Sequence, residues 1–457
     1  MKKYDCFNGI SPYLKEKSQF NSLCQLSNNR KSRPKMSKTT SNSKQMFDNT
    51  AGKSVGESPL RGGETHVTAG IIAEYNPFHN GHKLQIEKTR AETGATHIVA
   101  VMSGNFTQRG DVAIVDKHVR TKAALENGVD LVIELPCAFV LSSAEQFATG
   151  AVSILNALGC IDVLSFGSEC GNIELLEEAA GAVHYTLESE EFHSAMRRGK
   201  SYPAALQSAM EEFYTDDVVE VFAHPNNTLA VEYIKALNES GSNIKPFTIE
   251  RVGAAHDEYK DEYDSIVSAS QIRQMLIEGK MVSGVTPMDF DERDGDSADY
   301  ADIRKLETAI LAKLRMLSPK EIKKAPNVQS GLENRIFKAA RMARNLSELY
   351  FLTKTKRYTL ARIRRAVLCC FLGITQGDIK HGVQYVRVLG MNEKGREILA
   401  NSNCELPINT SLAALMKKSD GAKKQVLLEE RCTNIYGLAF KKKRECGLDF
   451  SVSPIKL

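Results

Sequence analysis

From residue 67 onward, short apolar runs alternate with longer segments of helical spacing, and this alternation narrows the possible folds more than any other property of the chain. The runs cover residues 70–74, 97–102, 131–135, 163–166 and 218–222, with a further one at 244–249. Between them lie helix-like segments over residues 83–93, 119–126, 144–158, 173–188 and 229–237. Strands that alternate with helices pair in parallel, because each crossing back needs a helix, and the sheet is then covered on both faces. The expected fold class is therefore α/β, with a Rossmann-like parallel-sheet domain over residues 67–282. Ligands of such sheets bind beyond the carboxyl ends of the strands, near the switch in strand order. The polar segments 76–82, 103–111 and 167–169 each follow a run, where that rule places a site.

The first of these segments carries the most chemistry. His79-Asn80-Gly81-His82 follows the first run and leads into the helix expected from Lys83. Free backbone N–H groups and the helix dipole make a strand-to-helix turn a natural seat for phosphate. Two imidazoles there can donate hydrogen bonds to a phosphoryl group as it gains charge. Gly81 lets the backbone come close to a ligand. These residues suit attack on the α-phosphate of a nucleotide, with His79 and His82 as the catalytic pair. Zinc is a competing reading, since His-x-x-His supplies two ligands. No third and fourth ligands stand nearby at a recognisable spacing, so no protein metal site is expected.

Other segments each admit two readings. Segment 103–111 holds two glycines and Arg109, and is either a plain connection or a loop that closes over a ligand and contributes a cation. Lys117 and Arg120 lie one helical step apart, facing either one polyphosphate or solvent. Gly167 either turns a strand end or lets a base or ribose approach the backbone. Asn226 and Asn227 open a helix after Pro225; capping explains one of them, and the pair also suits a base or ribose. Arg251 follows the next strand and can face a phosphate. Ser268 or Ser270 can cap a helix running to Glu278, with Arg273 on its first turn as an anion-binding group.

The net charge of +4 conceals an uneven distribution. Residues 1–66 carry +7, residues 67–300 carry −20 and residues 301–457 carry +17. The basic last third, read as mainly helical over 303–457, is a candidate polyanion surface, with nucleic acid the first partner to consider. Residues 283–302 are acidic and turn-rich, as expected of a linker or loop, and lack the calcium-loop pattern. Residues 1–66 are rich in Ser, Lys and Asn without apolar periodicity, and are expected to be disordered. They lack a secretory core. No run of about 18 uncharged apolar residues is present, so no membrane span is expected. The ten cysteines form no C-x-x-C pair, as expected of a reduced cytoplasmic protein.

Longer strings around these residues resemble a known family. The HxGH turn with a distant Ser-x-Ser-x-x-Arg helix start is similar to the HIGH-type nucleotidylyltransferase superfamily. Ile72-Ala-Glu-Tyr-Asn-Pro-Phe-His-Asn-Gly-His82, Ser103-Gly-Asn-Phe-Thr-Gln-Arg-Gly110 and Gly128-Val-Asp-Leu-Val-Ile-Glu-Leu-Pro136 resemble the bacterial tRNA(Met) cytidine acetate ligases. So do Phe166-Gly-Ser-Glu169, Pro225-Asn-Asn-Thr-Leu229 and Lys354-Thr-Lys-Arg-Tyr-Thr359. The resemblance covers residues 67–457 and leaves out the N-terminal extension.

The resemblance implies a nucleotidylyltransferase domain that forms acetyl-adenylate from ATP and acetate. The acetyl group then passes to N4 of the wobble cytidine of elongator tRNA(Met), giving N4-acetylcytidine. Acetate is already ionised at neutral pH, so its attack needs no general base. By the same analogy Ile72, Ala73, Glu74, Tyr75, Asn76, Pro77, Phe78, His79, Asn80, Gly81, His82, Lys83, Leu84 and Gln85 cradle ATP. Gly167, Asn227, Arg251 and Arg273 are further contacts, with Asn226 competing with Asn227. Mg²⁺ is expected to bridge phosphates. Lys354, Lys356, Arg357, Arg362, Arg364 and Arg365 form the expected tRNA-binding cluster, with Tyr358 interleaved. A transferase acting on a small phosphorylated substrate and a non-catalytic tRNA-binding protein remain as alternatives.

Overall fold

The computed structural model describes residues 66–251, 267–290, 299–328 and 331–457. The disorder expected of residues 1–66 concerns, apart from His66, residues outside the described ones, as do the acidic residues between 291 and 298.

Seven strands follow one path across the central sheet. In chain order these are β1 (Thr68–Ala73), β2 (His97–Ser103), β5 (Leu131–Leu135), β6 (Val163–Ser168), β7 (Lys245–Glu250), β8 (Val386–Met391) and β10 (Ile455–Lys456). A hairpin of β3 (Phe106–Thr107) and β4 (Asp111–Val112) stands apart, and β9 (Ile408–Asn409) pairs with β8. The spatial order is β10-β8-β5-β2-β1-β6-β7. From β1 the chain moves through β2 to β5 and then returns to place β6 on the other side of β1. The switch point therefore lies between β1 and β6, and these central pairings are parallel.

Alternation of side chains across the strands builds two cores. Ile72, Val99, Val101, Leu131, Ile133 and Leu135 face one way, onto α3 (Ala144–Leu158), α4 (Ile173–Glu188) and α6 (Pro225–Glu239). Their neighbours Ile71, Ile98, Ala100, Met102 and Val132 face the other way. There they meet Ile86 of α1 (Asn80–Thr93) and Ala123, Ala124 and Leu125 of α2 (Lys117–Glu126). Burial on both faces is why β2 and β5 read as nearly continuous apolar runs.

Two parts differ from the sequence reading. Residues 218–222 do not form a strand; they belong to α5 (Asp216–Glu220) and a 3₁₀ turn, Val221–Ala223. Periodicity cannot separate a short apolar run into strand or buried helix, and Asp216 and Asp217 in the first turn favour the helix. The C-terminal third, although mainly helical, also sends β8 into the sheet, antiparallel to β5 and with all six residues buried.

The helical part packs α8 (Glu307–Met316), α9 (Leu332–Met342), α10 (Leu346–Thr353), α11 (Leu360–Leu372) and α12 (Asp420–Tyr436) around a core that also takes in Phe106, Val112, Cys137, Ala138 and Leu141. The described ends of the acidic stretch are anchored rather than free. Val282 and Phe290 are buried with Ile272 and Leu276 of α7 (Ala269–Ile277), and the Asp299 carboxylate accepts from the Lys441 and Lys442 N–H groups at 2.5 and 2.8 Å. No helix among the described residues is long and apolar enough to cross a membrane.

Candidate active site

The turn after β1 explains the histidine spacing. His79 is the N-cap of α1 and His82 its third residue, so the pair occupies the two positions of a capping box. His79 Nδ1 accepts from Gly81 N–H at 3.1 Å, and His82 Nδ1 accepts from His79 N–H at 3.2 Å. The rings stack with centroids 3.8 Å apart, and Tyr75 meets His82 edge-on. With both Nδ1 atoms acting as acceptors, the ring protons reside on Nε2. Burial holds the His79 pKa down to about 4, helped by the charges of Arg251 and Arg273. Burial, His79 and Arg251 hold His82 well below the ordinary value. Both rings are thus neutral donors at neutral pH, aimed by the backbone.

The rest of the turn is braced from three sides. Asn76 Oδ1 accepts from Ile114 N–H at 2.8 Å, and Asn76 O accepts from Arg273 Nη1 at 2.6 Å. Thr286 Oγ1 donates to Phe78 O at 2.6 Å, and Asn80 Nδ2 donates to Gly284 O at 2.7 Å. Tyr75 adopts a left-handed backbone, φ 47°, which its buried ring holds in place. Of the stretch expected to cradle ATP, Ile72, Tyr75 and Phe78 have their side chains in the core. Ala73 ends β1, Pro77 is buried, and Lys83, Leu84 and Gln85 are the fourth to sixth residues of α1, with Lys83 exposed.

Three arginines converge on this turn. Arg251 follows β7, and its backbone N–H donates to Ser168 O at 2.9 Å. A Cβ on Gly167 would stand 3.1 Å from Arg251 Cγ, so the glycine makes room for the arginine. Ser268 caps α7 through Gln271, and Arg273 on that helix also donates to Ser270 Oγ at 3.0 Å. Arg109, on the β3–β4 hairpin, reaches the same hydroxyl at 3.5 Å. None of the three forms an ion pair among the described residues. Beside them the Glu74 carboxylate accepts from Gln108 N–H at 2.6 Å, and burial raises its pKa against the pull of Arg109, Arg120 and Arg273.

The asparagines answer the capping question differently from the sequence reading. The Glu169 carboxylate accepts from Asn226 N–H, Asn226 Nδ2 and Asn227 N–H, so an acid from the β6 end caps α6. Asn227 is buried, and its Oδ1 accepts from the Glu169 and Cys170 N–H groups.

Lys117 and Arg120 do not face a polyphosphate. Lys117 is buried, with Nζ 2.7 Å from both Glu134 Oε1 and Asp449 Oδ1. Arg120 is fully buried and donates to the carbonyls of Val115, Glu74, Ser103 and Gly104. Helical spacing put them on one face correctly, but that face packs on the strand ends. Arg120 ties the ends of β1 and β2 together, a role invisible without the tertiary contacts.

The family follows from this turn and from the chain's relatives. The model for HIGH nucleotidyl transferases matches residues 67–448. A tRNA(Met) cytidine acetate ligase of Clostridium perfringens is 37% identical over 404 residues, which span 84% of this chain and 98% of the relative. That of Caldicellulosiruptor saccharolyticus is 38% identical over 403 residues, 85% of this chain and 98% of the relative. The chain belongs to the tRNA(Met) cytidine acetate ligase family. The crystal structure of Thermotoga maritima TmcAL bound with α-thio ATP superposes with a TM-score of 0.76 at 31% identity, covering 86% of this chain and 99% of that one. Its apo form superposes at 0.77, with 32% identity and the same coverage.

On this member of the acetate ligase family, the basic cluster divides by exposure. Lys354, Lys356 and Arg357 are exposed, in the turn between α10 and α11. Arg362 donates to Asn327 O at 2.8 Å and, like Arg357, lies 5.8 Å from the Tyr358 ring, while Arg364 lies 5.6 Å from the Tyr350 ring. Arg365 is buried, and its Nη1 donates to Gln108 O at 2.9 Å; burial lowers its pKa to about 10. The sequence reading passed over Phe351, which is 80% exposed and precedes Lys354 by one helical turn.

Proposed function

We propose that the protein activates acetate with ATP and transfers the acetyl group to N4 of the wobble cytidine of elongator tRNA(Met), giving N4-acetylcytidine. The observation that carries this reading is the stacked, neutral histidine pair beside Arg251 and Arg273, neither ion-paired among the described residues, on a chain whose relatives are named tRNA(Met) cytidine acetate ligases. In the first step an acetate oxygen bonds to the α-phosphorus. The bond to the β-phosphate oxygen breaks, and its electron pair leaves with pyrophosphate. His79 and His82 donate through Nε2 to the phosphoryl oxygens as charge builds, a type of contact worth about 10²–10³ in rate. In the second step N4 of cytidine bonds to the acetyl carbon, AMP leaves with the electron pair of the broken C–O bond, and the N4 proton passes to solvent.

The ATP site comprises residues 72–85 with Gly167, Asn227, Arg251 and Arg273. Mg²⁺ would accompany ATP and offset the charge of its phosphates, a load that Arg251 and Arg273 would share. Residues 67–282 serve the nucleotide half and 303–457 the RNA half, with the acidic 283–302 between them. Lys354, Lys356 and Arg357 grip RNA phosphates, with Arg362 and Arg364 behind them, in a cytoplasmic enzyme. Incubation with ATP, labelled acetate and elongator tRNA(Met) tests the reading: pyrophosphate release and label on the RNA are expected together. Pyrophosphate without labelled RNA points to a different transferase, and neither product points to an RNA-binding protein alone.

A further inference from the structure

The tip of the β3–β4 hairpin touches both the nucleotide turn and the basic helix. The register pairs Thr107 with Asp111, so Gln108, Arg109 and Gly110 form a three-residue loop, with Gly110 in the left-handed conformation such a loop requires at φ 77°. On the sheet side, Gln108 N–H donates to Glu74 Oε1 at 2.6 Å. On the helical side, Arg365 Nη1 donates to Gln108 O at 2.9 Å. Gly110 lies so close to α11 that a Cβ there would stand 2.7 Å from both Arg364 Cβ and Arg365 N. The peptide groups on both sides of Gln108 are therefore bonded, Gly110 N–H donates to Thr107 O at 2.9 Å, and the Arg109 side chain projects from a fixed base.

That side chain points at the nucleotide site. Arg109 Nη1 and Arg273 Nη2 approach one hydroxyl, Ser270 Oγ, at 3.5 and 3.0 Å. Two guanidinium groups on one acceptor, neither ion-paired among the described residues, repel each other. An anion between them would reverse that cost. We propose that Arg109 is a phosphate ligand of the nucleotide site, holding the β- and γ-phosphates that depart as pyrophosphate, and that Arg365 is the positioning residue that sets it there from the basic helix. This rests on the acetyl-adenylate reading: as the bond to the α-phosphorus breaks, the departing oxygen gains charge, and Arg109 neutralises it without moving a proton.

The full chain is tested by acetate-dependent ATP–pyrophosphate exchange without RNA, together with titrations of ATP and AMP. Arg109→Ala is expected to slow exchange about 100-fold and weaken ATP binding while leaving AMP affinity unchanged, since AMP lacks the outer phosphates. Arg365→Met is expected to slow exchange about tenfold; Arg365→Lys recovers part of this. The double variant Arg109→Ala/Arg365→Met is expected to be no slower than Arg109→Ala alone, because Arg365 acts through Arg109. Wild-type exchange by Arg109→Ala, or an equal loss of ATP and AMP affinity, overturns the phosphate role. Additive losses in the double variant overturn the positioning role. A wild-type chain that performs no exchange overturns this inference together with the adenylation reading beneath it.

Discussion

His79 and His82 each do two jobs with one ring. Nδ1 satisfies a helix N-terminus, and Nε2 remains as a donor. The two jobs separate by substitution. Asn at position 79 and Gln at position 82 keep a side-chain acceptor for the capping box, whereas Ala at the cap costs about 1 kcal/mol of stability. His79→Asn and His82→Gln are expected to melt near the wild-type temperature while acetate-dependent exchange falls about 100-fold. Alanine variants should lose both, and near wild-type exchange in the Asn and Gln variants would remove the histidines from the chemistry. The same burial fixes a pH dependence. The His79 pKa is about 4 in the fold and near its ordinary 6.5 unfolded, so between these values the unfolded chain binds more protons. Stability is therefore full above pH 6.5 and falls as pH drops towards 4, by roughly 2–3 kcal/mol from this group. Urea titrations across that range should show the fall, and His79→Asn should flatten it.

At the scale of elements, the end of β6 and the start of α6 form one unit. The Glu169 carboxylate closes the N-terminus of α6, where the helix dipole favours a negative charge, and Asn227 closes the loop from the other side. Glu169→Ala is expected to lower stability by about 1–2 kcal/mol and to raise the KM for ATP by loosening Asn227, measured by melting and by exchange kinetics. An unchanged KM would make the unit purely structural. How much of this was legible follows from chain distance. The strand, histidine turn and helix of residues 68–93 are contiguous, so the spacing of apolar residues gave the strand and the helix, while the capping roles of the two histidines were not read. The cap at Ser268, read with Ser270 as its alternative, was legible for the same reason. The Glu169 cap is not, because its partners lie 57 and 58 residues away. Lys117 and Arg120 show the other failure: helical spacing fixes which residues share a face but not whether that face meets solvent or a buried carboxylate. β8 was hidden because a six-residue run within a helical region carries no period that tells strand from helix.

Across the whole molecule, the charge asymmetry and the buried ion pairs work together. Arg387 of β8 bonds Glu134 of β5 at 2.8 Å and Asp449 at 3.0 Å, while Lys117 joins the same two carboxylates. Four buried charges thus fasten the C-terminal third to the sheet. Removing one member of such a group leaves its partner uncompensated, so a basic segment tied this way is held at a fixed place relative to the histidine turn. On the proposed reading, surface charges on that segment act on RNA and not on the nucleotide. Lys354, Lys356 and Arg357 are exposed, form no ion pair among the described residues and lie outside the nucleotide turn. Each phosphate contact contributes to the salt dependence of RNA binding through released counterions. The triple variant Lys354→Ala/Lys356→Ala/Arg357→Ala is expected to weaken tRNA affinity and to flatten the slope of log affinity against log salt by about 2–3. Its exchange rate without RNA should match wild type. Filter binding at several salt concentrations, paired with exchange assays, decides the matter: an unchanged slope moves the RNA surface elsewhere, and a slowed exchange ties these residues to the nucleotide half instead.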